Sequence, residues 1–273
     1  MSEGKKEILL GDCLELMKDI PNGSIDMILC DLPYGTTACK WDCIIPFKEL
    51  FNEYNRIIKD NGVICLTGIE PFTSQLISNN IEYFREKLVW VKHKPSNIGN
   101  AKVMHLKYFE DIVIFCKKKP TYNPQMQQRL SDRVRQAQKG SSKQWRTNRK
   151  DTQEVSFATE YEPRDWNTFN ADFKYPSNVI NIPAVVSNSK EKVSHPTQKP
   201  VKLFEYLIKT YTNENDLILD NCAGSGTTAI ACLNTNRQFI VMEKEQKYFD
   251  MILKRVADFN KNFEPKTLFG NEM

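Results

Sequence analysis

Residues 217–228 read Leu217-Ile218-Leu219-Asp220-Asn221-Cys222-Ala223-Gly224-Ser225-Gly226-Thr227-Thr228. An apolar strand, a tight turn at Gly224 and Gly226 and a helix start at Thr227 make the strand–turn–helix unit that lets a nucleotide-like ligand approach backbone closely. The spacing is GxG without a third glycine, and no Gly-Lys-Ser/Thr follows, so the loop does not fit an ATP-binding P-loop. Seventeen residues beyond Gly226 comes Glu243, at the end of the next strand, placed to accept hydrogen bonds from both ribose hydroxyls of an adenosine moiety. A lone GxG is as readily a structural turn. Together with its strand, its helix and the following acid it points to a nucleoside-containing cofactor. The spacing does not say which one: NAD(P) prefers a third glycine beneath its pyrophosphate, whereas a cofactor without phosphates, such as S-adenosylmethionine, needs no anion cradle.

Working outward, strand and helix patterns alternate on both sides of a polar middle. Before the loop, Pro200 precedes a predicted helix over 201–211, with Leu203, Phe204, Leu207 and Ile208 at three- to four-residue spacing. After it come a helix over 227–233, a strand over 239–242 and a final helix over 245–259. Near the N-terminus the pattern predicts strands over 8–10, 25–30, 63–67, 88–91 and 112–116, and helices over 13–20, 47–58 and 71–77. The fold class is therefore α/β: one largely parallel sheet with helices on both faces, assembled from two stretches of chain. We assign residues 1–118 and 195–273 to these two halves and 119–194 to an insert between them.

That insert carries the charge. The 273-residue chain has a formal net charge of only +4, but residues 117–150 hold eleven Lys/Arg against one acid, Asp132, a net +10, which leaves the remainder at −6. A stretch so basic and so poor in aliphatics cannot build its own core. It is either a solvated insert or an arm that contacts phosphates, because Lys and Arg neutralise a nucleic-acid backbone without a packed fold beneath them.

Other classes fall away. No run of 18 apolar residues exists for a membrane span, and the polar start, Met1 to Glu7, does not look like a signal peptide. The eight cysteines lack CxxC spacing and suit reduced thiols in a cytoplasmic protein. Cys39 and Cys43 flank Trp41 at a spacing of four but find few histidines to complete a zinc site, so no metal is expected.

Asp31-Leu32-Pro33-Tyr34-Gly35 directly follows the apolar strand over 25–30, which places an acid, a rigid turn and an aromatic where open α/β folds do their chemistry. On composition alone this could equally be a surface turn. The pattern as a whole resembles the DNA amino-methyltransferases, which transfer a methyl group from S-adenosylmethionine to adenine N6 or cytosine N4. Asp31-Leu32-Pro33-Tyr34 matches their catalytic Asp/Asn/Ser-Pro-Pro-aromatic signature, and residues 220–228 match their Asp-Pro-Phe-x-Gly-Ser-Gly-Thr-Thr cofactor signature. His195-Pro196-Thr197-Gln198-Lys199-Pro200 matches the segment that introduces the cofactor half, and Trp90-Val91-Lys92, Asn97 and Phe109-Glu110-Asp111 echo the region after the catalytic half. Catalytic motif first, insert second and cofactor loop last is the circularly permuted order of the beta class. The sequence departs from the family at Leu32, which replaces a proline but keeps the backbone carbonyl. It also departs at Asn221 and Cys222, which stand where Pro-Phe is usual.

The resemblance implies a permuted Rossmann-like methyltransferase fold with a target-recognition insert. It implies a catalytic turn of Asp31, Leu32, Pro33 and Tyr34, in which Asp31 and the Leu32 carbonyl accept the two N–H bonds of an amine and Tyr34 stacks on an extruded base. Cofactor contacts would come from Asp12, Asp31, Lys199, Asp220, Cys222, Gly224, Ser225, Gly226, Thr227 and Glu243. Lys199 either reaches the methionine carboxylate or is solvated. Residues 35–45 either close over cofactor and base, with Lys40 and Trp41 touching DNA, or form a surface loop anchored by one tryptophan. Arg129, Arg133, Arg135, Lys139, Lys143, Arg146, Arg149 and Lys150 would contact the phosphates of double-stranded DNA. Aspartate at the first catalytic position leans to adenine N6, with cytosine N4 as the alternative. For some members the resemblance adds a homodimer and a cognate restriction nuclease.

Three other classes explain less. A non-enzymatic DNA-binding protein leaves the two motifs unexplained, a nicotinamide enzyme leaves the permuted order and the basic block, and an RNA or protein methyltransferase shares only the cofactor logic. Neutralising Arg129, Arg133, Lys139 and Arg146 together is expected to weaken DNA binding and to flatten its salt dependence by about 0.9 for each phosphate no longer neutralised. Unchanged binding in a salt titration would mark the block as solvated surface.

Overall fold

The computed structural model describes residues 5–37, 39, 41–128 and 173–262. The chain divides into two compact units, the first formed by Met1–Asn123 with Asn178–Met273 and the second by Pro124–Ser177. In the first unit the chain runs β1 (Lys6–Leu10), α1 (Cys13–Met17), β2 (Ile25–Cys30), α2 (Phe47–Ile57), β3 (Ile58–Gly68), α3 (Phe72–Asn79), β4 (Phe84–Val91) and β5 (Phe109–Phe115). The second unit contributes a short antiparallel pair, β6 (Gln127–Gln128) with β7 (Phe173–Lys174). The first unit resumes with β8 (Val179–Asn181), α4 (Val201–Tyr211), β9 (Leu217–Asp220), α5 (Thr227–Asn234), β10 (Gln238–Glu243) and α6 (Gln246–Asn262).

Its eight strands form one sheet in the order β1-β10-β9-β2-β3-β5-β4-β8, in which only β5 runs against its neighbours. Strand periodicity sorts the side chains into two cores. Met27, Leu29, Ile112, Ile114, Ile218, Phe239 and Val241 face the layer that holds α4, α5 and Ile252 of α6. Ile28, Cys30, Val113, Phe115, Leu219, Ile240 and Met242 face the layer of α1, α2 and α3. The expected three-layer α/β fold is thus the observed one. The near-continuous apolar runs in β2 and β10 follow from burial on both faces.

The two stretches of chain meet at the centre of the sheet. Strand β2 pairs in parallel with β9, with Met27 opposite Ile218 and Ile28 opposite Leu219. Asp26, the one acid in an otherwise apolar strand, explains itself here. Its Oδ2 accepts the Leu217 N–H at 2.9 Å, while Oδ1 pairs with Lys59 Nζ at 2.6 Å. The carboxylate caps the entry of β9 beside β2.

Several boundaries differ from the sequence expectation. The predicted strand over 88–91 begins at Phe84, because Phe84 and Leu88 pair across to Phe115 and Ile112, a pairing the local pattern does not reveal. The helix expected over 13–20 stops at Met17, short of Pro21. Between Ile25↔Ile58 and Met27↔Val63 the register slips, so β3 takes in the polar residues Asp60-Asn61-Gly62 as a bulge where a turn was expected. The insert is narrower than 119–194. Residues 178–194 return to the first unit, where Val179–Asn181 pairs with β4, three residues being too short to show a period.

Candidate active site

Because β2 and β9 are parallel neighbours, their carboxyl ends release the chain side by side. The turn at 31–34 and the loop at 220–226 open into one cavity of about 920 Å³, large enough for a drug-sized ligand. Gly11 and Asp12 after β1, Glu243 after β10, Lys92 after β4 and residues 195–199 before α4 line the same space.

The Asp31 carboxylate in this cavity is held by three donors. Oδ1 accepts hydrogen bonds from the Tyr34 hydroxyl at 2.6 Å and from Thr67 Oγ1 at 2.5 Å, the two hydroxyls lying 2.8 Å apart. Oδ2 pairs with Lys199 Nζ at 2.7 Å. A carboxylate offers about four lone-pair sites, so one acceptor direction on Oδ2 remains for an incoming donor. Among the described residues no donor reaches the Leu32 carbonyl, whereas the Leu32 side chain is buried in the core. One residue therefore anchors the turn and leaves its backbone acceptor open.

Lys199 is not solvated; it is buried and bridges two carboxylates, Asp31 and Glu110, the latter at 3.2 Å. Burial alone would push its ammonium pKa down, but the two carboxylates outweigh that and hold it above the ordinary lysine value. Glu110 in turn pairs with Lys92 Nζ at 2.8 Å. Burial would raise the Glu110 carboxyl, and the two lysines keep it below its usual range instead. The result is an alternating chain, Lys92–Glu110–Lys199–Asp31, in which two buried lysines are each paired with half-buried carboxylates. The Lys199 cation also lies 5.5 Å from the Tyr34 ring centre.

Tyr34 is half-buried, with its ring 5.0 Å from Phe72 and tilted by 40°. Burial and the Asp31 charge push its phenol pKa well up, so it stays a hydroxyl donor.

The cofactor-type loop is held from behind. Asp220 is buried; Oδ1 accepts the Cys222 N–H at 3.1 Å and Oδ2 accepts the Thr228 hydroxyl. Burial raises its pKa to about 6. Each oxygen takes one bond inside the loop, so Asp220, which borders the cavity, also shapes the loop that carries it. Gly224 and Gly226 have φ of +49° and +74°. A Cβ on Gly224 would lie 3.0 Å from His195 Nε2, and one on Gly226 would lie 3.1 Å from Ile252. Ser225 and Thr227 are buried and face each other at 3.0 Å, and Thr227 donates to the Lys199 carbonyl at 3.1 Å. These two hydroxyls tie the loop to the segment carrying Lys199. Glu243 accepts the Gly224 N–H at 2.8 Å and the Glu245 N–H at 2.9 Å, one on each oxygen, and burial raises its pKa. Asp12 caps α1 by accepting the Leu14 N–H at 2.9 Å.

Cys222 lies against Cys13 and Cys30 in a cluster of protonated thiols, with burial pushing Cys30 up to about 12. The aromatics near the loop are instead Trp41, His195 and Tyr248. The His195 ring centre is 5.7 Å from that of Trp41 and 4.6 Å from that of Tyr248. Asp42 organises the segment after the catalytic turn by accepting the Gly35, Thr36 and Thr37 N–H groups at 2.9, 2.9 and 2.6 Å. Lys40 and the eight basic positions at 129–150 lie outside the described residues. Thr67, Glu110, Lys92, His195 and Tyr248 were not singled out from sequence as site residues, whereas Trp41 was, as a DNA contact. For Glu110 and Lys92 the signal was their place in the segment after the catalytic half.

The carboxylates Asp12, Asp31, Asp220 and Glu243 all border the cavity, while residues 220–228 carry no cation. That donor set fits a phosphate-free nucleoside bearing a positive centre and would repel a pyrophosphate. The model of the DNA methylase family with N6 and N4 specificity matches residues 25–254. The chain belongs to this family. As a DNA methylase it is a DNA methyltransferase enzyme whose cofactor is S-adenosylmethionine. It is similar to the DNA adenine methyltransferase YhdJ of Escherichia coli (strain K12), 29% identical over 92% of this chain and 82% of that one. It is also similar to the type II methyltransferase M.HinfI of Haemophilus influenzae, 26% identical over 93% and 69% of the two chains. Among solved structures, the PvuII DNA methyltransferase (cytosine-N4-specific) matches at TM-score 0.61 and 15% identity, covering 94% of this methylase and 92% of that chain. The M1.HpyAVI–SAM complex matches at 0.57 and 23%, covering 91% and 98%. Among the described residues no cluster of metal ligands occurs, and no helix is long and apolar enough to cross a membrane.

Two outcomes follow for this methylase. Asp31→Ala is expected to lower the methyl-transfer rate by at least about 10²-fold while cofactor affinity, read by calorimetry, stays largely intact; normal turnover would refute the role given to Asp31. The second concerns Asp220. Its folded-state pKa lies above the ordinary carboxyl value, so the native state binds the proton more tightly than the unfolded chain does. Its contribution to stability is therefore full below about pH 4 and is lost as pH rises through about 6. Urea titrations from pH 4 to 7 are expected to show Asp220→Asn gaining on the wild type across that window. A pH-independent difference would contradict the burial effect.

Proposed function

We propose that this chain is a site-specific DNA adenine-N6 methyltransferase that acts on an adenine extruded from duplex DNA. The observation that carries the reading is the turn at 31–34, with one free lone-pair direction on the Asp31 carboxylate and an open Leu32 carbonyl, beside the loop at 220–226 in one cavity. The name of the relative YhdJ supports adenine, as does aspartate at the first catalytic position.

S-adenosylmethionine supplies an activated methyl group, and Glu243, Asp12 and the backbone of 222–226 are the groups we assign to holding it. The other steps belong to the protein. An exocyclic amine conjugated to its ring is a poor nucleophile, because its lone pair is delocalised. Accepting one N–H at Asp31 and the other at the Leu32 carbonyl favours density on nitrogen, and does so most strongly where charge develops in the transition state. The amine keeps its protons until methyl attack has made it acidic, so Asp31 works as an acceptor before it takes any proton. Lys199 and Glu110 hold the Asp31 carboxylate in place, and Tyr34 is fixed by its bond to Asp31 with its ring beside the opening. Orientation of this kind supplies much of the rate.

We assign base recognition to the unit Pro124–Ser177, which includes the basic residues at 129–150, the catalytic half of the methyltransferase to 1–118 and its cofactor-binding half to 195–273. The type II naming of relatives such as M.HinfI supports a cognate restriction nuclease as partner, while the homodimer rests on the family resemblance and the cytoplasmic location on the cysteine usage.

The test is incubation with tritium-labelled S-adenosylmethionine and unmethylated duplex DNA, followed by nucleoside digestion and mass analysis. N6-methyladenine is the expected product. N4-methylcytosine would overturn the choice of base, and label in neither would overturn the enzymatic reading.

A further inference from the structure

Beyond Lys92, the connection from β4 to β5 makes no hydrogen bond or ion pair with Asp31 or with the loop at 220–226 among the described residues. Residues 92–109 contain Lys92, His93, Lys94, Lys102, His105 and Lys107 and no Asp or Glu, although the chain outside 117–150 is net acidic. The same segment exposes apolar surface. Of the six large apolar side chains at least half exposed among the described residues, four lie here: Val103 at 80%, Ile98 at 67%, Phe109 at 53% and Met104 at 50%. Exposed apolar groups gathered in one place mark a contact surface, and a purely phosphate-binding loop would not need them.

The segment is built, with a closed neck and a helical tip. Lys92 N–H donates to the Tyr108 carbonyl at 2.7 Å and Ser96 N–H to the Lys107 carbonyl at 3.2 Å. Asn97 bridges the neck, accepting the Lys107 N–H at 2.7 Å and donating to the His105 carbonyl at 3.1 Å. Beyond it a 3₁₀ turn, Ile98–Asn100, leads into a further turn in which the Val103 and Met104 N–H groups reach the Asn100 carbonyl at 3.0 Å. Ile98 and Val103 stand on this tip. Its root is fixed to the catalytic turn, since Lys92 Nζ contacts Ser96 Oγ at 3.2 Å and begins the chain of charges through Glu110 and Lys199 to Asp31. Lys94, Asn97, Ile98, Asn100 and Lys107 border the same cavity as Asp31.

We propose that residues 94–107 form a second DNA-contacting surface, distinct from the basic insert. In this proposal, which rests on the reading of the site as a base-flipping methyltransferase, Lys94 and Lys102 contact phosphates. Ile98 and Val103 enter the gap that an extruded base leaves in the stack. Cations and apolar wedges on one rim are the combination that holds unstacked duplex: the charge binds any backbone, and the apolar groups replace the missing stacking.

Two measurements on the full chain test it. Fluorescence anisotropy with labelled mixed-sequence duplex is read across salt concentrations. Lys94→Gln/Lys102→Gln is expected to lower the slope of log K against log salt by about 0.9 per lysine, and an unchanged slope would overturn the phosphate contacts. In the methylation assay on duplex DNA, Ile98→Ser/Val103→Ser is expected to reduce the rate on the order of tenfold with an unaltered melting temperature. Ile98→Leu/Val103→Leu is expected to restore most of that rate. A serine pair as fast as wild type, or a leucine pair as slow as the serine pair, would sink the wedge. If the wild type methylates nothing, the enzymatic reading fails and the wedge with it, while the anisotropy still decides the phosphate contacts.

Discussion

Parallel pairing of β2 with β9 is the constraint on which the rest of this molecule depends. Its register, Met27 with Ile218 and Ile28 with Leu219, brings together segments almost two hundred residues apart. Asp26 adds a carboxylate bond to the first N–H of β9. The strands run the same way, so both chains leave the sheet at the same edge, where side chains and backbone ends converge without helices in the way. The turn at 31–34 and the loop at 220–226 are thus neighbours because of sheet geometry, whatever their order in the chain. A permuted connection costs nothing here provided the central pairing is kept.

Around that pairing the site balances charge against burial. Lys92, Glu110, Lys199 and Asp31 form a row of alternating charge along one wall of the cavity. Each is tolerable because its neighbours carry the opposite sign, and removal of any one leaves an uncompensated buried charge. The same chain joins elements β4, β5, the approach to α4 and the turn after β2. It therefore fixes the position of Asp31 from the far side of the cavity, while Tyr34 and Thr67 fix it from the near side. A carboxylate held on three sides retains little freedom, which suits an acceptor that must be oriented before its donor arrives.

The loop at 220–226 follows a different logic. Asp220, Ser225 and Thr227 bond to backbone and to neighbouring hydroxyls, and Glu243 accepts the Gly224 N–H. The loop can then keep two left-handed glycines close beneath His195 and Ile252. Rigidity in this loop comes from inward-facing polar groups, and the cavity is left to the outer face.

Much of this was legible in the sequence. Apolar period and turn chemistry located the strands that bear Asp31 and Asp220, the helix that follows Gly226 and the acid that ends β10, because those signals are local. Asp31-Leu32-Pro33-Tyr34 and the GxG loop resembled a family in which the two motifs work together. Partners set by long-range packing were not legible. Nothing near Lys199 in the chain announces that it bridges Asp31 and Glu110, nor does the sequence near Asp220 show that its oxygens hold Cys222 and Thr228. The sequence by itself determined which segments carry chemistry, since residue type and spacing suffice for that. Only the tertiary structure decided which charges meet and which acceptors stay open, because those depend on distances between strands that the chain order does not encode.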